Sequence, residues 1–546
     1  MKNNNSIYST YLEGEKLGRI ETPSGIPIKD VYFPAHINNL NYDNDLGKPG
    51  EFPFTRGVYP NMYRGRFWTR RFQVGFGTPQ ETNERLKFLF KEGQTGFTMT
   101  IDLPTSYGFD SDDPISEGEV GVTGVAISTV EDLEAIFNGF SPDQVSCSLS
   151  IRPPVSAVTL SMLAVLADRR GIPYKNIIGT QQNDPFYQMS GGPLQTTTQF
   201  FPLDGIIRLN QDIIEFMAKN FPKLNWMVTN AYNLRETGIT AVQEGAFALS
   251  HAFNIFELAV SRGLNVDEFA PRASFFCSCG IDFFEEIAKF RAMRRIYART
   301  MKERFGAKNE RSWKFRSSVQ TAGNSLTTQQ PFNNVIRTTM EALASIFGGL
   351  QSIQVASYDE GLGLPTEESS RIALRVQQII GYETGVTQTV DPLAGSYYLE
   401  SLTKEMEENI LELMEKVESR GGMIECIRSG WLENEILRAR VKNQREIEND
   451  EKVLVGVNKF KVEEEPEIKI HSIRSDEWGA ARAAYLKEYR ANREQKRVAE
   501  TLKNVELNMK TSKNMISIIM EALKARATMG EIHQAMRDAT GFKIQL

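Results

Sequence analysis

Short runs of β-prone apolar residues alternate along most of this chain with longer stretches whose apolar positions recur at helical spacing. The β-prone runs fall near residues 71–76, 97–102, 145–151, 176–180, 225–230, 273–278, 314–320 and 352–357. Eight such units over roughly 300 residues are what a closed (β/α)8 barrel requires, so the expected fold class is α/β, a TIM barrel. Helix starts are marked between the runs. Thr78-Pro79-Gln80-Glu81 offers an N-cap, a proline at the first helical position and a capping acid, and Ser128-Thr129-Val130-Glu131 repeats the logic. The apolar spacing of Asp282 to Phe305 predicts an outer-ring helix.

Two of the strands carry a second pattern. Phe97–Ile101 and Val145–Ile151 alternate hydroxyl and apolar residues, which puts Thr98 and Thr100, and Ser146, Ser148 and Ser150, on one face each. The outer face of a barrel must be apolar to meet its helices, so these hydroxyls are expected in the lumen. Ordinary barrels fill that space with bulky branched side chains. A lumen of serine and threonine either holds hydroxyls bonded to one another around water or leaves room for a slender polar chain.

The barrel is expected over residues 55–398, after an irregular arm at 1–54 whose first residues are polar and Asn-rich. From 399 to 546 the composition shifts to Lys, Glu and Arg in long helical patterns, for example Leu402 to Ser419 and Glu477 to Val505, and a C-terminal helical region is expected. A formal charge of −6 argues against a general nucleic-acid surface. No apolar run approaches bilayer-spanning length and the first residues lack a signal-peptide core, so the chain reads as cytoplasmic, away from membranes. Cys147, Cys277, Cys279 and Cys426 are too few and scattered for a disulfide framework and read as buried apolar thiols. No second Cys/His pair completes a metal site with Cys277 and Cys279, and no metal is expected.

The densest candidate chemistry lies in Thr55 to Gly77, where Arg56, Arg64, Arg66, Arg70 and Arg71 are interleaved with Tyr59, Tyr63, Phe67, Trp68, Phe72 and Phe76. Guanidinium forks suit phosphate or carboxylate, and aromatic faces wall a ring or an acyl chain. The competing reading is a solvated surface loop. Against it, the stretch exits directly into a predicted strand, which tends to hold its residues in place.

With its continuation Gly93 to Pro114, this stretch resembles the substrate barrel of the adenosylcobalamin-dependent acyl-CoA mutases, the methylmalonyl-CoA mutase family. GTQQND (179–184), NVDEFAPRASFF (265–276), QTAGNSLT (320–327), DPLAGSYY (391–398) and VGVNKF (455–460) continue the resemblance in order from about Glu21 onward. It implies an isomerase that rearranges the carbon skeleton of a branched acyl-CoA by radical chemistry, with the pantetheine arm of coenzyme A threading the barrel axis. Carried over residue by residue, Tyr59, Met62, Arg66, Thr69, Arg71, Thr98, Ser146, Thr180, Gln182, Arg272, Ser274 and Gln320 match the acyl-CoA site. Leu103, Tyr232, Glu236, Gly323 and Glu360 match positions facing the corrin or adenosyl group, with Glu360 as the ribose-hydroxyl acceptor.

Departures from the family pattern bear on the substrate. Gln73 stands where methylmalonyl-CoA mutases have tyrosine and relatives acting on isobutyryl or hydroxyisobutyryl groups have Phe or Ile; Thr100 is expected close by. Gly192 replaces the carboxylate-binding arginine, and Asn233 and Ser318 replace histidines near the thioester. Ser106 and Asn324 replace a His and a Trp near the corrin. Gly192 implies a non-carboxylated acyl group, and Gln73 with Thr100 a hydroxylated one, the alternative being that Gln73 turns away to bond the corrin amides or the backbone. The family's cobalt-ligating Asp-x-His-x-x-Gly motif does not occur, so a separate cobalamin-binding small subunit is expected. The resemblance further implies a dimer of large subunits in a heterotetramer and a GTPase chaperone. The alternatives are an inactive mutase-like subunit and a mutase acting on a substrate other than a CoA ester.

Overall fold

The computed structural model describes residues 20–150, 153–186, 200–465 and 467–543, with the backbone alone for Ser150. Nine strands form one parallel sheet: β1 Thr69–Arg71, β2 Gln73–Val74, β3 Gly96–Thr100, β4 Ser146–Ser150, β5 Gly179–Gln182, β6 Leu224–Asn230, β7 Ala273–Cys279, β8 Ser317–Thr321 and β9 Ser352–Gln354. Their order runs β1-β9-β8-β7-β6-β5-β4-β3-β2. β1 and β2 are one stretch of chain interrupted at Phe72. Its first part pairs with β9 (Arg71 opposite Gln354) and its second with β3 (Gln73 opposite Thr98), which closes the expected TIM-like barrel.

This stretch begins earlier and ends earlier than the apolar run 71–76 suggests. Gly75 ends it at φ +153°, where a Cβ would lie 1.9 Å from the Thr100 carbonyl oxygen, so only glycine lets the chain cross β3 there. β5 likewise starts later than its apolar run, because Tyr174–Asn176 first closes a 3-10 turn.

Helices surround the barrel where their periodicity placed them. Thr78 caps Pro79–Lys91 in a full capping box with Glu81, and Asp282 caps Phe283–Glu303. The helix Val130–Ile136 corrects one expectation: its cap is Thr129, not Ser128, and the reciprocal acid is Asp132 rather than Glu131. Asp132 wins because Arg482 also holds it, through two contacts of 2.7 Å. The helix Val155–Arg170 is buried on every side from Val155 to Ala167, since the helix Met515–Lys524 covers the face turned away from the barrel.

Residues beyond 399 share this core, as one hydrophobic cluster runs from Ile26 through the strands to Met536. The helix Tyr397–Glu418 packs on Phe283–Glu303 and Ala241–Ser261. The pattern from Glu477 to Val505 is two helices, Ser475–Ala491 and Gln495–Asn508, broken where Arg493 turns in to pair with Glu531. All four cysteines are buried. Among the described residues no helix is long and apolar enough to cross a membrane.

Candidate active site

An open cavity of about 690 Å³ enters the barrel from the N-terminal ends of its strands. Its wall includes Tyr59, Met62, Arg66, Thr69, Arg71, Thr98, Ser146, Thr180, Gln182, Arg272, Ser274 and Ser318, all proposed from the sequence. Pairing register explains why they meet. Gln73, Thr98, Ser148, Thr180 and Asn225 stand opposite one another across β2 to β6, and Ser318, Ser352 and Thr69 across β8, β9 and β1. Side chains of one pairing layer share a face, so the hydroxyl alternation makes a polar belt around the lumen.

Two further cations, Lys223 and Arg316, and the lumen residues Asn225, Ser352 and Gln354 were missed. A signal for the cations exists. Lys223, Arg272 and Arg316 each immediately precede a strand, β6, β7 and β8 in turn, which places them side by side at the mouth with Arg66. Arg272 is held below its ordinary pKa by partial burial and by the like charges of Arg316 and Arg311. A mouth whose cations repel one another is poised to take an anion of high charge, as a phosphate group provides.

Inside, Arg71 is a buried cation whose hydrogen-bond partners among the described residues are all neutral. It donates to Ser352 Oγ (2.9 Å), the Phe97 carbonyl (2.7 Å) and Ser146 Oγ (2.7 Å). Burial lowers its pKa to about 10. Asn225 Oδ1 and Gln354 Oε1 on the wall, and Thr100 Oγ1 beyond it, are buried with no hydrogen-bond partner among the described residues. A wall with unmet acceptors and an unneutralised guanidinium costs free energy unless a polar ligand completes it.

At the C-terminal end of the barrel a second group converges. Gln73 Nε2 donates to Gln320 Oε1 at 3.2 Å, and Gln320 Nε2 to Glu360 Oε1 at 3.4 Å. Asn324 N–H donates to Glu236 Oε2 at 2.6 Å. A Cβ on Gly323 would lie 3.0 Å from that oxygen and 3.2 Å from Tyr232 Oη, so glycine leaves the space where Tyr232, Glu236 and Glu360 meet. Tyr232 also packs tilted against Phe276, which lines the cavity, with ring centroids 5.2 Å apart. Leu103 and Ser106 lie half-buried on a short helix just after β3. Asn233 lies on the helix Ala231–Glu236 and Thr100 at the end of β3; neither these two nor Gln73 and Gln320 line the cavity. Gly192 is outside the described residues.

Burial raises Glu236 to about 7 and Glu360 to about 8, the latter also through Glu236 and Asp359. A carboxyl raised on folding keeps a proton that the unfolded chain releases, so it costs stability as pH climbs from the ordinary carboxylate range to the folded value. Glu360→Gln is therefore expected to gain in Tm over wild type as pH rises from about 5 to about 8.5. Parallel Tm–pH curves would show that Glu360 is not so raised.

The methylmalonyl-CoA mutase family profile matches residues 21–542. The chain belongs to this family. Among curated members, the 2-hydroxyisobutanoyl-CoA mutase large subunit of Aquincola tertiaricarbonis is 40% identical over 529 residues, covering 96% of this chain and 93% of its own. The probable mitochondrial methylmalonyl-CoA mutase of Caenorhabditis elegans is 39% identical, covering 94% of this chain and 68% of its own. The methylmalonyl-CoA mutase of Rhizobium meliloti is also 39% identical, covering 95% and 72%. The family is generally adenosylcobalamin-dependent.

Proposed function

We propose that this chain is the substrate-binding large subunit of an adenosylcobalamin-dependent mutase that rearranges a branched, uncarboxylated, hydroxylated acyl-CoA. The observation that carries this reading is the channel itself: a cationic mouth at one end of the barrel, a polar belt with unmet acceptors along it, and a carboxyl–tyrosine–glycine cradle at the other. A coenzyme A ester matches that sequence of environments. Arg66, Lys223, Arg272 and Arg316 would take phosphates, the hydroxyl belt and Arg71 the pantetheine amides and thioester, and the inner end the acyl group. A small cobalamin-binding partner is supported by the near full-length match to a relative named a large subunit.

The residues at the C-terminal end fit the cofactor. Glu360 and Glu236 offer acceptors for hydroxyls, and Gly323 leaves open space beside Tyr232, with Asn324, Leu103 and Ser106 at the rim. When bound there, adenosylcobalamin supplies radical chemistry, the hydrogen abstraction that lets a substituent migrate between adjacent carbons. The protein's own part is to orient and to keep water out. Phe276 and Met227 pack with Tyr232 in a small apolar cluster between the channel and the cradle, which would help to exclude water from the reacting end while the walls remain polar.

The acyl preference rests on Gln73. Its amide nitrogen is given to Gln320, which leaves Gln73 Oε1 as an acceptor for a substrate hydroxyl. Beside a purely apolar group that oxygen would be buried unpaired. Wild type is expected to favour a hydroxylated branched acyl-CoA over its plain analogue in kcat/KM, and Gln73→Ile to reverse the order. Preference of the wild type for the plain ester, unchanged in the variant, would rule the hydroxyl out.

A further inference from the structure

The loop that walls the channel mouth, Thr55 to Trp68, contains Gly57 and Gly65 and has no strand or long helix of its own. Left alone, such a segment would have to be ordered by the ligand at a cost in affinity. Its order comes from behind, from the outer helix Phe283–Glu303. Arg294 on that helix is buried, yet all its partners are main-chain carbonyls. It donates through Nε to Phe54 O (2.9 Å), through Nη2 to Thr55 O (2.8 Å) and through Nη1 to Gly348 O. The first two carbonyls open the mouth loop and the third precedes the neighbouring wall, Leu350 to Ser352, which leads into β9 beside β1. The two walls also meet directly, where Tyr63 Oη donates to Leu350 O at 2.7 Å. Gly349 sits between them, since a Cβ there would lie 3.3 Å from Arg294 Nη1 and 3.5 Å from Met62 Cε.

We infer that Arg294 is a positioning residue for the channel mouth, preforming the site for the nucleotide end of coenzyme A without touching it. The inference rests on the coenzyme A reading above. A second tie supports the loop further along: Arg291 grips Asp391 at 2.7 Å, and Asp391 accepts from Arg56 Nε at 3.3 Å. Arg299, on the same helix, supplies the contrast. It ties the arm, at Asn44 O (3.0 Å), to the helix Tyr397–Glu418, at Glu407 (2.8 Å), away from the channel. The pantetheine part of the site is built on strands, where Arg71, Thr98, Ser146 and Thr180 are fixed by the sheet itself. Loss of Arg294 should therefore be felt by the nucleotide end of the ligand alone.

The experiment is calorimetric titration of the full chain with coenzyme A and, separately, with pantetheine. Arg294→Met is expected to weaken coenzyme A about tenfold or more while pantetheine stays within about twofold. Arg299→Met is expected to lower Tm and leave both affinities unchanged. Equal weakening of both ligands by Arg294→Met, or an Arg299→Met effect on coenzyme A as large, would overturn the inference. Where the methionine variant does not fold, Arg294→Lys keeps the charge and some donors, and a smaller loss, again confined to coenzyme A, is expected; no loss or an equal loss overturns it. A wild type that binds coenzyme A no better than pantetheine would instead overturn the coenzyme A reading itself.

Discussion

Replacing Lys289 with methionine is expected to destabilise the fold by about 3–5 kcal/mol, the usual cost of breaking a buried ion pair from one side. Its ammonium is fully buried behind β7, 2.6 Å from Glu244 Oε2 and 2.5 Å from Glu286 Oε2, and donates to Ser278 O at 2.7 Å. Burial pulls its pKa down, but the two carboxylates outweigh burial and hold it above lysine's ordinary value. Without the lysine, two buried carboxylates would face each other with Arg235 the remaining cation near them among the described residues, at 3.7 and 3.5 Å. The effect should reach the site, because Glu244 also accepts the Ser278 N–H and Ser278 Oγ contacts Glu236. The shift of the urea midpoint, read with the m-value, checks this; a loss below about 1 kcal/mol would mean that the carboxylates take up protons at little cost.

The second large effect is on affinity. Arg66 is exposed at the rim and Arg272 half-buried beside it, so neither carries the fold. Each alanine variant removes a charge-assisted contact of ~1.5–3 kcal/mol, so Arg66→Ala and Arg272→Ala should each raise the apparent constant for acyl-CoA roughly ten- to a hundredfold. Tm should stay near that of wild type. Variants that aggregate or melt early while binding as before would assign both arginines to structure instead.

Much of this was legible along the chain because the barrel writes its inner and outer faces in alternation. Thr98, Ser146 and Ser148 could be sent to the lumen from spacing alone, and the strands there did pair in that register. Strand ends were less legible, since Gly75 and the turn at Tyr174 decide them through close contacts that only the folded chain creates. Lys223 and Arg316 were missed because one cation before one strand is unremarkable; it is the shared position before three adjacent strands that gathers them. The charges on Phe283–Glu303 hid for a related reason. Helical spacing marks Arg291 and Arg294 as outer-ring residues, and only the fold brings Asp391 and the carbonyls of Phe54, Thr55 and Gly348 to them.

This barrel is proposed to turn over a branched, hydroxylated acyl-CoA with cobalamin supplied by a partner. The direct measurement combines the full chain, a cobalamin-binding small subunit and adenosylcobalamin, and follows isomerisation of 2-hydroxyisobutanoyl-CoA, isobutyryl-CoA and methylmalonyl-CoA by product chromatography. Isomerisation of the hydroxylated ester above the other two is expected, abolished by omitting either the cofactor or the small subunit. Binding of coenzyme A with no cofactor-dependent isomerisation of any branched ester, or fastest turnover of methylmalonyl-CoA, would contradict it.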